Sequence, residues 1–310
     1  MKRILCLALI GALLTLSAGY AEQAPASLLY LLQADTFAKT RSQAVEQLAA
    51  CDRDWIVLDA VFSSTESWSR NDLDAIRSKR PSRKVIAYLS IGEAEDYRPY
   101  WRTMWFVNGK LTETAPPWLG ASNPAWPGNY QVKYWHPAWQ KIICDTIDEI
   151  FKAGFDGVYL DIVDGFETFE LDGRKYIDNR LNPETKQSFR RDMVDWVKRI
   201  AKHARQIKPD AIIIPQNGAQ LLEHDDFLAA IDAIGIEDLF TVGDKLQPAS
   251  HSNYIVAYLK KLTAAQKPVL LIEYPTKAKR QELVRKKARE HGMIWLITDR
   301  QLTTPGESGR

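Results

Sequence analysis

Short, continuous apolar runs alternate along this chain with segments whose apolar residues recur every three or four positions, from about residue 28 to residue 298. A run of four to eight apolar residues with no polar face is what a parallel strand covered on both sides requires. Eight such runs predict strands over 28–33, 55–62, 84–91, 157–163, 211–216, 233–237, 268–273 and 292–298. The segments between them, among them RSQAVEQLAAC, PAWQKIICDTIDEIFKAG and ETKQSFRRDMVDWVKRIAKHARQIK, have helical spacing, and several stop at Gly or shortly before Pro. Eight strands with helices between them predict an α/β protein, a (β/α)8 TIM-like barrel, as a single domain over 22–310. A doubly wound open sheet is the alternative, but no Gly-rich phosphate turn follows the first strand.

Residues 104–136 break this rhythm with a stretch dense in Trp, Pro, Gly and Asn. It is long and aromatic for a mere connection. Flat aromatic faces stack on the C–H faces of sugar rings, so Trp118, Trp126, Tyr130 and Trp135 suggest a carbohydrate groove; a loop with its own aromatic core is the alternative.

The first 21 residues have Lys2 and Arg3, an uncharged apolar run from Ile4 to about Ala18, and small residues at Gly19 and Ala21, the pattern of a cleavable secretory signal. The run is shorter than the roughly 20 residues of a membrane span, so the mature chain is expected to be secreted or periplasmic, without a membrane anchor. The 310 residues, 45% of them hydrophobic, suffice for a packed core. Losing Lys2 and Arg3 brings the formal charge from +2 to zero, which offers no footprint for nucleic acid or anionic lipid. Cys51 and Cys144 remain, paired or free, and without a Cys-x-x-Cys or Cys/His cluster they predict no metal site.

In barrels of this type, chemistry sits at the carboxyl ends of the strands. Acids gather there: Asp59, Glu93 and Glu95, Asp161 and Asp164, Glu237 and Asp238, Glu273 and Asp299, with the Asn217 amide after the fifth strand. Any one of them could cap a helix or pair with a cation, but their accumulation argues for function. Like charges at a partly desolvated mouth raise one another's pKa and keep a proton available near neutral pH. Glycosidic cleavage needs two carboxyls in different environments, one to protonate the leaving oxygen and one to attack C1 or activate water. Within GFDGVYLDIVDGFE (154–167) the two aspartates stand three apart, so an extended strand turns them to opposite sides. Asp161 then takes the inward position and Asp164 a loop role, orienting a neighbour or touching substrate. There is no Gly-x-Ser-x-Gly elbow, and the five histidines show no metal spacing. No cofactor is expected; a divalent ion held by Asp161, Glu93 and Glu237 is the metal alternative.

Five blocks, VIAYLSIGEAEDYRPYW (85–101), PPWLGASNPAWPGNYQVKYWHPAWQKII (116–143), AGFDGVYLDIVDGFE (153–167), IIPQNG (213–218) and GIEDLF (235–240), together resemble the secreted endo-α-1,4-polygalactosaminidases. These form glycoside hydrolase family 114, which also includes the hydrolase domain of Pel-type exopolysaccharide proteins. The resemblance implies a TIM-like barrel that cleaves α-1,4-linked galactosamine-containing polysaccharide internally and with retention. It also implies Asp161 as nucleophile and Glu237 as general acid/base, with Asp59, Glu93, Glu95, Arg98, Tyr134 and Asn217 in or supporting the groove. Strand 7 departs from the family's pattern, ending in Glu273-Tyr274 where many relatives carry Asp-Tyr. Both residues therefore join the substrate-binding candidates, along with Trp118, Trp126, Tyr130, Trp135 and Asp164. Galactosamine units without acetyl groups are cationic near neutral pH, which suits an acidic mouth. A non-catalytic carbohydrate-binding or matrix protein and a metal-dependent hydrolase or deacetylase are the rivals.

Overall fold

The computed structural model describes residues 24–310; the expected leader, residues 1–21, lies outside the described residues. All eight expected strands form, as β1 (Leu28–Leu31), β2 (Trp55–Asp59), β3 (Lys84–Ser90), β4 (Gly157–Asp161), β5 (Ile212–Pro215), β6 (Ile234–Glu237), β7 (Val269–Glu273) and β8 (Ile294–Ile297). They belong to one α/β domain in which β1 to β5 pair in parallel and in chain order. β6, β7 and β8 continue the parallel series, and a final strand β9 (Glu307–Gly309) pairs antiparallel with β8. A single parallel bridge, Gln216 to Gly235, joins the two sheets between β5 and β6. At the opposite seam the tail of the chain meets β1: Leu32 N donates to Leu302 O at 3.0 Å, and Leu28 N to Ser308 Oγ at 2.8 Å.

Strand parity sorts the buried residues into two cores. One cluster takes alternate positions, including Leu28, Tyr30, Val57, Tyr88, Tyr159, Ile214, Ile272 and Leu296. The other takes the intervening ones, such as Leu29, Ile56, Leu58, Val158 and Ile213, and packs them against the helices. The helices of six or more residues are α1 (Arg41–Ala50), α2 (Arg70–Arg77), α3 (Pro137–Ala153), α4 (Phe189–Ile207), α5 (Asp225–Ala230), α6 (Ala249–Ala264) and α7 (Ala278–His291). Their ends obey local chemistry. Ser69 and Asp72 form a capping box on α2, while α3 starts with the His136 side chain accepting from Ala138 N and Pro137 in the first turn.

Several strands end sooner than the apolar runs do. β2 stops at Asp59 because its carboxylate turns back to accept from Val61 N at 3.0 Å. β4 stops at Asp161 because Ile162 adopts φ +56°, a left-handed conformation that β-branched residues rarely take. β8 starts late because Gly292, at φ +65°, is spent closing α7. Cys51 and Cys144 are both free.

The aromatic insertion folds as a small antiparallel sheet, Glu93–Glu95 with Asn129–Val132 and Leu119–Ser122. It has its own aromatic packing: Trp101 stacks on Tyr130 at 4.4 Å, and Trp118 lies against Trp105 at 5.6 Å and Trp139 at 4.9 Å.

Candidate active site

The carboxyl ends of the strands surround a cleft of about 760 Å³. Asp161 closes β4 and lines it. Its Oδ2 accepts from the Tyr88 hydroxyl of β3 at 2.6 Å, and its Oδ1 from Ile162 N at 2.8 Å. Burial pushes its carboxyl up to about 6, and the two hydrogen bonds limit the rise. Glu237 closes β6 on the same cleft. Tyr274, just past β7, donates its hydroxyl to Glu237 Oε1, and Asn217 Oδ1 accepts from Glu237 N at 3.2 Å. Burial, then the charge of Asp161, pushes Glu237 up to about 7, against the Tyr274 bond. Glu237 therefore feels the field of Asp161, and neither carboxyl has an ion-pair partner among the described residues.

Asp164 is the third such group. The left-handed Ile162 turns the chain sharply out of β4, and a single 3-10 turn, Val163–Gly165, brings Asp164 back to the cleft wall. Glycine permits this turn: a Cβ on Gly92 would stand 2.2 Å from Ile162 O. Burial first, then the charges of Asp161 and Glu167, push Asp164 up to about 8, while a hydrogen bond with the Asn217 side chain opposes the shift.

Three other acids of the rim, Asp59, Glu95 and Asp238, are paired with arginines. Arg98 grips Asp59 with two bonds of 2.8 Å and Glu95 with one of 2.7 Å. Arg300 grips Asp238 with two bonds of 2.7 Å and lies 4.1 Å over the Tyr274 ring, which steadies the hydroxyl that serves Glu237. Asp299 spends its oxygens capping the turn at Gln301, Thr303 and Thr304.

Of the residues expected from sequence, the cleft brings together Asp161, Glu237, Asp164, Asp59, Glu95, Arg98, Asn217, Tyr274 and Trp126. Trp126 stands at the lip and is 47% exposed, the one candidate Trp with a free face. Six others lie off the cleft wall. Trp118 and Tyr130 are buried in the packing of the insertion. Tyr134 is fully buried and donates to Phe189 O at 2.7 Å, and Trp135 packs on Phe169 and Phe189 with its N–H on Glu184. Glu93 accepts from the Asn123 and Asn129 amides at 2.9 and 3.2 Å, which fastens the insertion. Glu273 is fully buried and accepts from Phe240 N at 2.7 Å and Thr241 N at 3.1 Å, so it ties the β6 loop to β7. Among the described residues no three His, Cys, Asp or Glu side chains are grouped to hold a metal ion.

The family model of glycoside-hydrolase family GH114 matches residues 43–309. The chain belongs to glycoside hydrolase family GH114. It is therefore a glycoside hydrolase. A protein of Deinococcus radiodurans with no described function is 35% identical over 248 residues, covering 80% of this chain and 73% of the relative. A Thermotoga maritima protein is 36% identical over 191 residues, covering 61% of this chain and 54% of the relative. One from Methanocaldococcus jannaschii is 36% identical over 234 residues, with 74% and 63% covered, so the chain spans little more than half to three fifths of these two relatives. In fold, the chain is similar to the glycoside hydrolase domain of PelA from Pseudomonas aeruginosa, with a TM-score of 0.64, 18% identity, and 92% and 98% of the two chains covered. It is equally similar to Aspergillus fumigatus Ega3, solved in complex with galactosamine, with a TM-score of 0.63, 17% identity, and 91% and 93% covered.

This GH114 cleft also contains residues that the sequence pattern left unmarked. Tyr88 and Gln216 sit at inward positions of β3 and just beyond β5, and Arg300 follows the Asp299 turn. Strand parity was the available signal for the first two; nothing local marks Arg300.

Proposed function

We propose that this glycoside hydrolase cleaves α-1,4-linked, galactosamine-containing polysaccharide within the chain and with retention, on strands that close into a (β/α)8 barrel. The observation that carries the reading is the contrast between Asp161 and Glu237, two carboxyls on one cleft with different hydrogen bonds and different protonation. Asp161, the more acidic, attacks the anomeric carbon; Glu237 retains a proton near neutral pH and delivers it to the leaving oxygen. Once the leaving unit has gone, Glu237 takes a proton from water, which attacks the covalent intermediate and frees Asp161.

Substrate charge supports the choice of sugar. Asp161, Asp164 and Glu237 lack cationic partners, and so do the exposed Asp35 and Glu66 on the same cleft, among the described residues. An amino-sugar polymer would supply the missing charge. Residues 1–21 are read as an export signal, which would carry the enzyme to polymers outside the cytoplasm.

The test is mass spectrometry of products from partly deacetylated galactosamine polymer, with proton NMR of the first anomer released. Oligomers of mixed length and an α-anomer are expected; monomers alone would end the internal-cleavage claim, and a β-anomer the retention claim. Asp161→Asn and Glu237→Gln should each lower kcat by about 10³-fold or more, and near-normal rates in either would remove that residue from its role.

A further inference from the structure

The turn after β8 is tied down on both sides. Asp299 caps the backbone of Gln301, Thr303 and Thr304, and Leu302 O accepts from Leu32 N at 3.0 Å and Gln33 N at 3.3 Å, just past β1. Arg300 therefore stands on a fixed backbone, and it lines the cleft. Its guanidinium reaches back over two strand ends. Two bonds of 2.7 Å hold Asp238, just past β6, and the guanidinium carbon lies 4.1 Å from the centre of the Tyr274 ring, just past β7. Asp238 meets it by adopting φ +51°, an uncommon conformation for a residue with a side chain, and its carbonyl accepts from Gln247 Nε2 at 2.8 Å.

Both partners of Arg300 bear on Glu237. Tyr274 donates its hydroxyl to Glu237 Oε1, and Asp238 is the next residue in the chain. A cation stacked on the tyrosine ring, with both terminal nitrogens tied to Asp238, keeps that ring from swinging away. The groups facing Glu237 come from several strands: Tyr30 of β1, Tyr159 and Asp161 of β4, Tyr274, Arg300 and Asp238. Burial pushes the three tyrosines well above their ordinary range, so they stay neutral. Burial and the charge of Asp161 dominate the Glu237 pKa; Asp238 raises it further, while the Tyr274 bond and Arg300 lower it. The charges of Asp238 and Arg300 thus oppose each other at Glu237, and removing one exposes the other.

Substrate has little claim on this arginine, since an amino-sugar polymer brings cations to the cleft and not the anion that a guanidinium binds. We propose that Arg300 is a positioning residue for the general acid: it holds the Tyr274 hydroxyl on Glu237 and, balanced against Asp238, sets the upper pH at which Glu237 still has a proton to give. This rests on the reading of Glu237 as that acid.

The test is the pH profile of kcat/KM for reducing-end release from partly deacetylated galactosamine polymer, in which the titration of the substrate is common to every variant. Arg300→Gln removes the cation and leaves Asp238 unpaired, so the alkaline limb should move up by about half a pH unit. Asp238→Asn leaves the cation unopposed, so the limb should move down by about as much. The double variant should return the limb to the wild-type position while kcat stays about 10-fold low, because the brace on Tyr274 is still missing. Single-variant limbs that both stay within about 0.2 unit of wild type, or move the same way, overturn the inference. So does an Arg300→Gln enzyme with raised KM and normal kcat, which marks a substrate contact, or one that melts early with its limb unmoved, which marks a structural role. If Arg300→Gln does not fold, the direction of the Asp238→Asn limb decides. Near-normal turnover in Glu237→Gln removes the general acid and this inference with it; lost turnover there, with the Arg300 and Asp238 limbs still, sinks the inference alone. Should the polymer be left uncut, the galactosamine reading falls, and carbon-13 NMR titration of Glu237 must still show the two opposite shifts.

Discussion

Glu170 and Glu237 are both carboxyls withdrawn from water, and the protein treats them in opposite ways. Glu170, fully buried, receives the Arg190 guanidinium at 2.9 and 3.1 Å, Asn179 N at 2.8 Å and the Tyr176 hydroxyl. Glu237 receives one tyrosine hydroxyl and faces the charge of Asp161, while the cation beside it, Arg300, is committed to Asp238. The guanidinium fastens Glu170 into the structure, whereas Glu237, left without one, holds a proton near neutral pH. The difference teaches that burial alone does not make an acid catalytic. What matters is whether a cation has been withheld, and on this cleft cations are supplied to Asp59, Glu95 and Asp238 but to neither Asp161 nor Glu237.

The largest effect should come from breaking the satisfied half of the comparison. Arg190→Met strands Glu170 in the core and removes the partner of Asp178, so unfolding free energy should drop by about 3–5 kcal/mol. Urea denaturation measures it, and a loss under about 1 kcal/mol would show that the Arg190–Glu170 pair does not hold the core together.

The unsatisfied half should respond with the opposite sign. Glu237 has its folded pKa raised from the usual 4.5 to about 7, and Asp161 and Asp164 are raised as well, to about 6 and about 8. Groups raised in this way stabilise the fold fully below their unfolded values and lose that contribution as pH climbs through the folded ones. Stability should therefore decline between about pH 5 and pH 8, and Glu237→Gln should flatten the decline and add about 1–3 kcal/mol at pH 8 while abolishing turnover. Thermal melts of the two proteins across that range decide it; parallel curves would mean that Glu237 is ionised throughout.

Much of this was legible in the sequence, and the remainder fails for identifiable reasons. A parallel strand covered on both faces must be written as an unbroken apolar run, so β1 to β8 and the acids at their ends could be read directly. The aromatic insertion could not be resolved the same way. A groove and a mini-core need the same Trp-rich composition, and only packing tells the exposed Trp126 from Trp118, Tyr130, Tyr134 and Trp135, which lie against other aromatic rings. Asp164 reaches the cleft wall because Ile162 takes a left-handed turn that its own chemistry disfavours and that Gly92, distant in sequence, makes room for. Tyr88 and Tyr274 act across strand boundaries, where a hydroxyl meets a carboxylate that no local pattern pairs with it.

Those two tyrosines allow the finest division of the catalytic pair. Each donates to one carboxyl and lowers its pKa, Tyr88 that of Asp161 and Tyr274 that of Glu237. Removing either hydroxyl must raise the pKa of its own partner. Asp161 works ionised and sets the acid limb of the kcat/KM profile, so Tyr88→Phe should move that limb up by about one pH unit and narrow the active range. Glu237 works protonated and sets the alkaline limb, so Tyr274→Phe should move that limb up by about the same amount and widen the range. Absolute rates fall in both variants, but the direction of each limb does not depend on them. If both substitutions displaced the same limb, the pair would titrate as one unit with no separate nucleophile and acid, and the contrast between the two environments would lose its chemical meaning.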